Sequence, residues 1–212
     1  MDAFVPHASR ASTHPRLQRV QNAAIEIEFA FYVRTDRKRP MPDVQIEPIA
    51  PRHADAVQTL ASHPEVLATT NLPEPYPDDG AITWIEAAQE RRADGEEFSF
   101  AIMVDDRLVG VSGLVEVTGE KGEVGFWVGR PYWGNGYATA GTREVLRLAF
   151  EELGLAEVFA RPLERNVASR RVLDKLGFTP TGVEIHEHPK WDEDDPVVRY
   201  VLSRADWANT CA

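Results

Sequence analysis

The sequence predicts an α+β fold, a mixed sheet that carries helices on both of its faces. One observation is the order of the strand-like and helical runs, which is β, two short helices, a third helix, three strands, helix, strand, helix and two strands. The other is size and composition: 212 residues, 43% of them hydrophobic, are enough for one domain with a folded core.

The first elements are a strand and three helices. Prolines open the first two helices, and His63-Pro64 separates them. Asp78 or Asp79 is placed to cap the third helix. His53 and His63 fall in the early helices, where we expect surface positions. The predicted elements are, in order, a strand at Pro42–Ile49 and helices at Pro51–Ala61, Pro64–Thr69 and from Asp79 to about Ala93.

Three strands follow in the middle of the chain. Asp105-Asp106 is a candidate two-residue turn between the first two, and Gly119–Gly122 is a turn before the third. The predicted strands are Phe98–Val104, Arg107–Val117 and Glu123–Val128.

The last third returns to alternating helices and strands. Apolar residues recur at helical spacing from Ala138 to Leu153, with charged residues on the opposite side. Gly177 is the expected stop of the next helix. The predicted elements are that first helix, a strand at Ala156–Ala160, a helix at Asn166–Leu176, and strands at Gly182–His188 and Val197–Leu202.

The domain boundaries follow from these elements. Residues 1–40 are predicted to be an N-terminal extension, because their first part is polar and lacks a hydrophobic period. Residues 41–207 form the predicted domain, and residues 208–212 a C-terminal tail.

Charge and composition restrict the partners. The net charge of -11 repels nucleic-acid phosphates and favours a cationic substrate. No metal site is expected, since no spacing of His, Asp and Glu repeats a ligand pattern. No membrane contact is expected either, because no apolar run approaches about 18 residues. The single cysteine, Cys211, allows no intrachain disulfide and suits the reducing cytoplasm.

The most informative segment is Trp133-Gly134-Asn135-Gly136-Tyr137-Ala138-Thr139, between a predicted strand and a predicted helix. Its two glycines allow a tight turn in which several N–H groups face one point. The positive end of the helix faces the same point, which favours a phosphate or pyrophosphate. A tight turn without a ligand is the alternative for this motif taken alone.

Three blocks in order carry a family resemblance. They are Glu123–Val128, Tyr132–Thr139 and Asn166–Phe178. Together they resemble the GNAT superfamily of acetyl-CoA-dependent N-acetyltransferases, most closely the branch typified by the ribosomal-protein N-terminal acetyltransferases RimJ and RimL. The likeness covers about residues 43–207. It implies the GNAT fold, a central mixed and mostly antiparallel sheet whose strands Glu123–Val128 and Ala156–Ala160 splay apart.

The resemblance also implies which residues bind acetyl-CoA, the co-substrate. The loop amides cradle the pyrophosphate, the first splayed strand offers backbone groups to the pantetheine arm, and Asn166 reaches that arm. Trp133 stands where the superfamily usually has glutamine or arginine, a departure common in this branch. The implied cofactor-binding residues are Phe126, Trp127, Val128, Trp133, Gly134, Asn135, Gly136, Tyr137, Ala138, Thr139 and Asn166. We expect the aromatic side chains of this region to pack rather than take part in the chemistry.

Two residues are candidates for catalysis. Glu123 shares one strand face with Gly125 and Trp127, and Gly125 leaves space beside its carboxylate. The resemblance implies that Glu123 is the general base, although a solvated strand-end glutamate is the alternative. Ser169 stands where some members of the branch place the acid that protonates the departing thiolate. Its alternative is a first-turn serine that bonds locally.

The predicted reaction is direct acetyl transfer to a primary amine in a ternary complex, because Cys211 is terminal and cannot serve as an acyl carrier. A protein N-terminal amine is one acceptor. An aminoglycoside, a polyamine or an amino acid is another, and a non-catalytic acyl-CoA sensor is a third possibility. Either a monomer or a homodimer is compatible with the sequence.

Overall fold

The computed structural model describes residues 42–185, 190–191 and 195–210. The predicted extension of residues 1–40 lies outside these ranges. Seven strands form one sheet: β1 (Gln45–Pro48), β2 (Phe98–Val104), β3 (Arg107–Thr118), β4 (Lys121–Val128), β5 (Glu157–Ala160), β6 (Thr179–Glu184) and β7 (Val197–Ser203). Six α-helices accompany it: α1 (Ala54–Ala61), α2 (Pro64–Leu67), α3 (Gly80–Ala93), α4 (Tyr137–Arg147), α5 (Val167–Lys175) and α6 (Arg204–Thr210).

The strand order is β1-β2-β3-β4-β5-β7-β6. Only β4 and β5 run parallel among the described strands, and all other neighbours are antiparallel. The predicted mixed, mostly antiparallel sheet is therefore confirmed. The turn Asp105-Asp106 joins β2 to β3 as predicted, with both residues at positive φ, the conformation that a two-residue hairpin turn requires.

Each face of the sheet has its own hydrophobic cluster. On one face, α4, α5 and α6 contribute to a cluster that includes Leu114 and Val124. On the other face, α1 and α3 pack against Ala101 and Val111. This two-sided burial follows from the period of two along each strand, because alternate side chains point to opposite faces.

The splay between β4 and β5 is visible in their register. Lys121 pairs with Glu157 and Glu123 with Phe159, and the pairing ends there. β4 nevertheless continues beside β3 until Val128 pairs with Gly110. The second half of β4 therefore has a strand on one side and an open gap on the other, which confirms the predicted splay.

The start of β6 differs from the prediction. β6 begins at Thr179 rather than Gly182 and its register shifts after Pro180. Proline has no N–H to donate and is tolerated on an edge strand such as this one, so its presence obscured the strand. Residues 186–188 of the predicted strand lie outside the described ranges.

The helix at the end of the described chain was not foreseen. α6 follows β7 directly and runs to Thr210, past the predicted domain boundary at residue 207. Trp207 is buried, and its ring stacks on Phe150 with centroids 5.7 Å apart. Burial of one aromatic side chain therefore holds a helix that is too short to show a period.

The N-terminus of α3 is capped differently from the prediction. Asp79 occupies the N-cap position but makes no side-chain cap. Instead the side chain of Gln58, on α1, accepts from the N–H of Ala81 at 3.0 Å. Helix capping across the tertiary fold has no signature in the local sequence.

His53 is buried, with 4% of its surface exposed, so the surface prediction was wrong. Its Nδ1 accepts the N–H of Ala50 at 3.2 Å, which requires the neutral ring. Burial, followed by the charge of Arg52, lowers the pKa of His53 below 6.5, while Glu47 acts in the opposite direction. Protonation would place a hydrogen on Nδ1, which could then no longer accept the hydrogen bond from the N–H of Ala50.

This arrangement predicts a pH effect on stability. Because the pKa of His53 is lower folded than unfolded, the stabilisation is complete above about pH 6.5 and is lost as pH falls through the folded value. His53→Asn keeps an acceptor without a titrating ring. The difference in urea-unfolding free energy between wild type and His53→Asn should therefore shrink from pH 8 to pH 5. A difference that stays constant would contradict the neutral-ring assignment.

Candidate active site

The two-glycine loop forms the turn that the sequence predicts. Gly134 and Gly136 have φ of 80° and 84°, in the left-handed region that glycine enters without strain. α4 starts directly after them, and the N–H of Ala140 donates to the carbonyl of Gly136 at 3.0 Å. Among the described residues, the N–H groups of residues 134–139 have no acceptor.

Two side chains hold this loop in place. The indole N–H of Trp133 donates to the carbonyl of Val128 at 2.6 Å. The side-chain amide of Asn135 donates to the carbonyls of Tyr132 at 3.0 Å and Trp133 at 3.3 Å. Trp133 is nevertheless 41% exposed, because its ring lies at the loop surface below the guanidinium of Arg130.

Backbone groups of β4 face the gap beside it. The N–H of Gly129 donates to Val109 at 2.9 Å, and antiparallel bonding alternates from residue to residue. Gly125 and Trp127 therefore direct their N–H and C=O groups to β3. Phe126 and Val128 direct their N–H and C=O groups into the gap. The carbonyl of Val128 already accepts a hydrogen bond from the indole N–H of Trp133. Any contact of Trp127 with a bound molecule would use its side chain.

These features fit the acetyl-CoA expected from the resemblance. The free amides at the start of α4 match a diphosphate. The unpaired edge of β4 can bond the amides of a pantetheine arm as a neighbouring strand would. An added Cβ at Gly134 would meet nothing within 4 Å, so the loop surface is open to a ligand.

Glu123 lies at the last paired position before the gap. Its side chain is 14% exposed. Space beside it is open as predicted, because a Cβ at Gly125 would also meet nothing within 4 Å. The carboxylate is not free, however. Arg161 donates to it through Nε, 3.2 and 3.1 Å from its two oxygens, and through Nη2.

Arg161 is the main site residue that sequence reasoning missed. It stands just after β5 and also reaches the carboxylate of Glu116 at 3.3 Å. The hydrogen bond to Glu123 is the largest influence that raises the pKa of Arg161. Glu116 has a φ of 51° at a register irregularity of β3, which turns its side chain out of the regular alternation. A positive φ at a glutamate is uncommon and leaves no trace in the sequence.

Asn166 and Ser169 lie together at the start of α5. The side-chain oxygen of Asn166 accepts the N–H of Ser169 at 3.0 Å, and its amide reaches the carbonyl of Thr69 at 3.5 Å. The Ser169 hydroxyl makes no hydrogen bond within the described ranges. The predicted local bond of Ser169 thus exists through its backbone, and its hydroxyl remains available.

The segment after α2 is held by Lys190, which lies between β6 and β7 in the chain. Nζ of Lys190 donates to the carbonyls of Leu67 at 2.6 Å, Thr70 at 3.3 Å and Leu72 at 3.0 Å. It also pairs with Glu74 at 3.1 Å. One lysine between β6 and β7 therefore joins that part of the chain to the segment after α2.

A second cation joins the same region to α5. Arg165 donates to the carbonyl of Ala68 at 3.0 Å and pairs with Asp195 at 2.6 Å. Its guanidinium lies over the ring of Trp191. His186 and His188, which fall in the predicted strand Gly182–His188, lie outside the described residues.

In the described ranges, no group of three or more His, Cys, Asp or Glu side chains is arranged to hold a metal ion. No helix in those ranges is both long enough and apolar enough to cross a bilayer.

Comparison with known proteins gives a consistent family. The sequence model of the family described as "Acetyltransferase (GNAT) domain" matches residues 43–179. The FsC-acetyl coenzyme A-N(2)-transacetylase of Aspergillus fumigatus is 32% identical over 179 residues, 77% of this chain and 75% of that protein. The probable N-acetyltransferase YjcK of Bacillus subtilis is 34% identical over 113 residues, 51% of this chain and 62% of its own length.

A solved structure agrees in fold. RimJ of Mycobacterium smegmatis in complex with CoA-disulfide superposes with a TM-score of 0.70 at 20% identity. The match covers 77% of this chain and 83% of that one.

The open loop predicts the effect of one methyl group on coenzyme binding. Gly134→Ala forces a left-handed alanine, which costs about 1–2 kcal/mol, and so disturbs the amides that it carries. Coenzyme A affinity should fall about tenfold by titration calorimetry. Gly95→Ala is the matched control, since Gly95 has a φ of 77° and equally open surroundings. Equal affinity of both variants would exclude the loop as the diphosphate site.

The Lys190 contacts predict a stability effect. Lys190 is 14% exposed, and Lys190→Met leaves its carbonyl and carboxylate partners without their donor. We expect a loss of about 2–3 kcal/mol in the free energy of unfolding by urea. Lys121→Met removes an exposed pair with Glu157 at 2.9 Å and should cost less than about 1 kcal/mol. Similar losses in both variants would show that Lys190 does not hold these segments together.

Proposed function

Since this chain belongs to the GNAT family of acetyl-CoA-dependent N-acetyltransferases, we propose that it acetylates an α-amine, in the first place that of a protein N-terminus. The observation that carries the proposal is the position of Glu123. One carboxylate stands where β4 and β5 part, next to open space at Gly125, and it is already paired with Arg161.

The energetic cost of the neutral amine selects the acceptor. A lysine-type amine with a pKa near 10.4 costs about 4.6 kcal/mol to deprotonate at pH 7, whereas an α-amine near 7.8 costs about 1 kcal/mol. Glu123 shares its oxygens with a guanidinium, so it is suited to take a proton that leaves readily. An α-amine meets that condition, and a polyamine or lysine meets it poorly.

Acetyl-CoA supplies the acetyl group as a thioester, and the chain supplies the remaining parts. The amides of residues 134–139 bind the diphosphate, and Asn166 positions the pantetheine region. Glu123 takes the proton of an amine that lies in the space beside Gly125. The N–H groups of Phe126 and Val128 point into the gap and donate to the thioester oxygen as negative charge develops there.

Ser169 is proposed to protonate the departing thiolate. Its hydroxyl is free of hydrogen bonds in the described ranges, and its position is fixed by Asn166. A thiol pKa of about 8.5 makes the thiolate a tolerable leaving group, so the contribution of Ser169 is expected to be smaller than that of Glu123.

A small-molecule amine is the second candidate acceptor. It is supported by the name of the Aspergillus fumigatus relative, an N(2)-transacetylase. Release of free thiol from acetyl-CoA, measured against peptides, amino-acid amides, aminoglycosides and polyamines, distinguishes these acceptors. Activity confined to polyamines would overturn the α-amine proposal. We also propose that the protein acts in the cytoplasm, because its single cysteine suits a reducing compartment.

The role of Glu123 is tested by removing its charge. Glu123→Gln should lower kcat for a peptide with a free N-terminus about 100-fold, within the usual range for general base catalysis. The affinity for acetyl-CoA should be unchanged, because the loop amides are untouched. Glu116→Gln removes the other carboxylate on Arg161 and should change kcat less than about threefold. Equal losses of kcat in the two variants would show that Glu123 only pairs with Arg161 and is not the general base.

A further inference from the structure

The guanidinium of Arg161 uses only part of its donor set. Nε donates to both oxygens of Glu123, and Nη2 donates to Glu123 and Glu116. Nη1 has no hydrogen-bond partner among the residues that the structure describes. The side chain is 24% exposed and Nη1 is not fully buried, so an incoming molecule can reach it.

The position of this guanidinium is fixed before any acceptor arrives. Its central carbon lies 5.5 Å from the ring centroid of Phe159, within the range of a cation–π contact. Two carboxylates hold its other nitrogens. A fork held in this way loses little freedom when it makes one more hydrogen bond.

The geometry of an α-amine matches this pair of side chains. In an α-amino acyl group, the nitrogen and the adjacent carbonyl oxygen lie roughly 3 Å apart. An amine at the carboxylate of Glu123 therefore brings its carbonyl beside the guanidinium bonded to that carboxylate. A simple alkylamine offers nothing to Nη1, and a polyamine brings further positive charge towards it.

We propose that Arg161 binds the carbonyl or carboxylate oxygen next to the acceptor amine, so that the enzyme selects α-amino acyl compounds over simple amines. This inference rests on the proposed function and names its acceptor class. It assigns two roles to one residue, since the same guanidinium orients Glu123 and recognises the acceptor.

The test compares two acceptors that differ in one group. L-Alaninamide carries a carboxamide where isopropylamine carries a methyl group. Arg161→Lys keeps the charge but loses the fork. It should lower kcat/KM for alaninamide about 10- to 100-fold more than for isopropylamine, the range of a hydrogen bond to a charged donor. Using the ratio between acceptors cancels their different amine pKa values and any effect on Glu123.

Arg199→Lys is the matched control. Arg199 also lies over the ring of Phe159, at 4.7 Å, but makes no hydrogen bond to Glu123 within the described ranges. Its replacement should leave the ratio between the two acceptors unchanged. Lactamide, which has a hydroxyl in place of the amine, provides a test with the wild type alone, and competitive inhibition against alaninamide is expected.

The outcomes separate the two proposals. Equal losses for both acceptors in Arg161→Lys, or absence of lactamide inhibition, would overturn the recognition role while the proposed function stands. Acetylation of neither acceptor, nor of any peptide N-terminus, by a protein that binds acetyl-CoA would overturn the α-amine proposal and this inference with it. Should Arg161→Lys fail to fold, as judged by circular dichroism, the lactamide result decides alone.

Discussion

Backbone hydrogen bonding between β4 and β5 stops at Glu123 and Phe159, although β4 continues in register with β3 to Val128. Strand residues past that point must find other partners, because an unpaired backbone group away from water costs free energy comparable to a lost hydrogen bond. Trp133 satisfies one of them, the carbonyl of Val128. We propose that the remaining backbone groups of Phe126 and Val128 bond a ligand that carries its own amides, as the pantetheine arm of acetyl-CoA does.

The start of α4, a few residues beyond the end of β4, also has backbone groups without partners in the fold. A helix cannot bond its first N–H groups internally, and the two glycines present them together with the amides of the loop. We propose that binding of the co-substrate draws on these hydrogen bonds that the fold leaves unmade. Such bonds would let a chain with net charge -11 bind a polyanion. The proposed acceptor chemistry lies at the same boundary, since Glu123 is the last paired residue and Arg161 follows the end of β5.

Local patterns predicted the fold well, and they also predicted the tight turn at Gly134 and Gly136. The glycines and the strand before them are encoded within a few neighbouring residues. Contacts between distant segments were not predictable in this way. Arg161 meets Glu123 across 38 positions and Lys190 meets Leu67 across 123, and nothing in either local sequence marks the partner. His53 was misplaced for the same reason, because its burial depends on how the segment before α1 packs.

The central claim is that the parted strands and the loop amides bind coenzyme A. Hydrogen–deuterium exchange, resolved to single amides by NMR, tests it most directly. Saturating coenzyme A should slow exchange at residues 134–139 and at Phe126 and Val128, while Trp127, already bonded to β3, changes little. Binding of coenzyme A that protects other amides and leaves these unchanged would contradict the account.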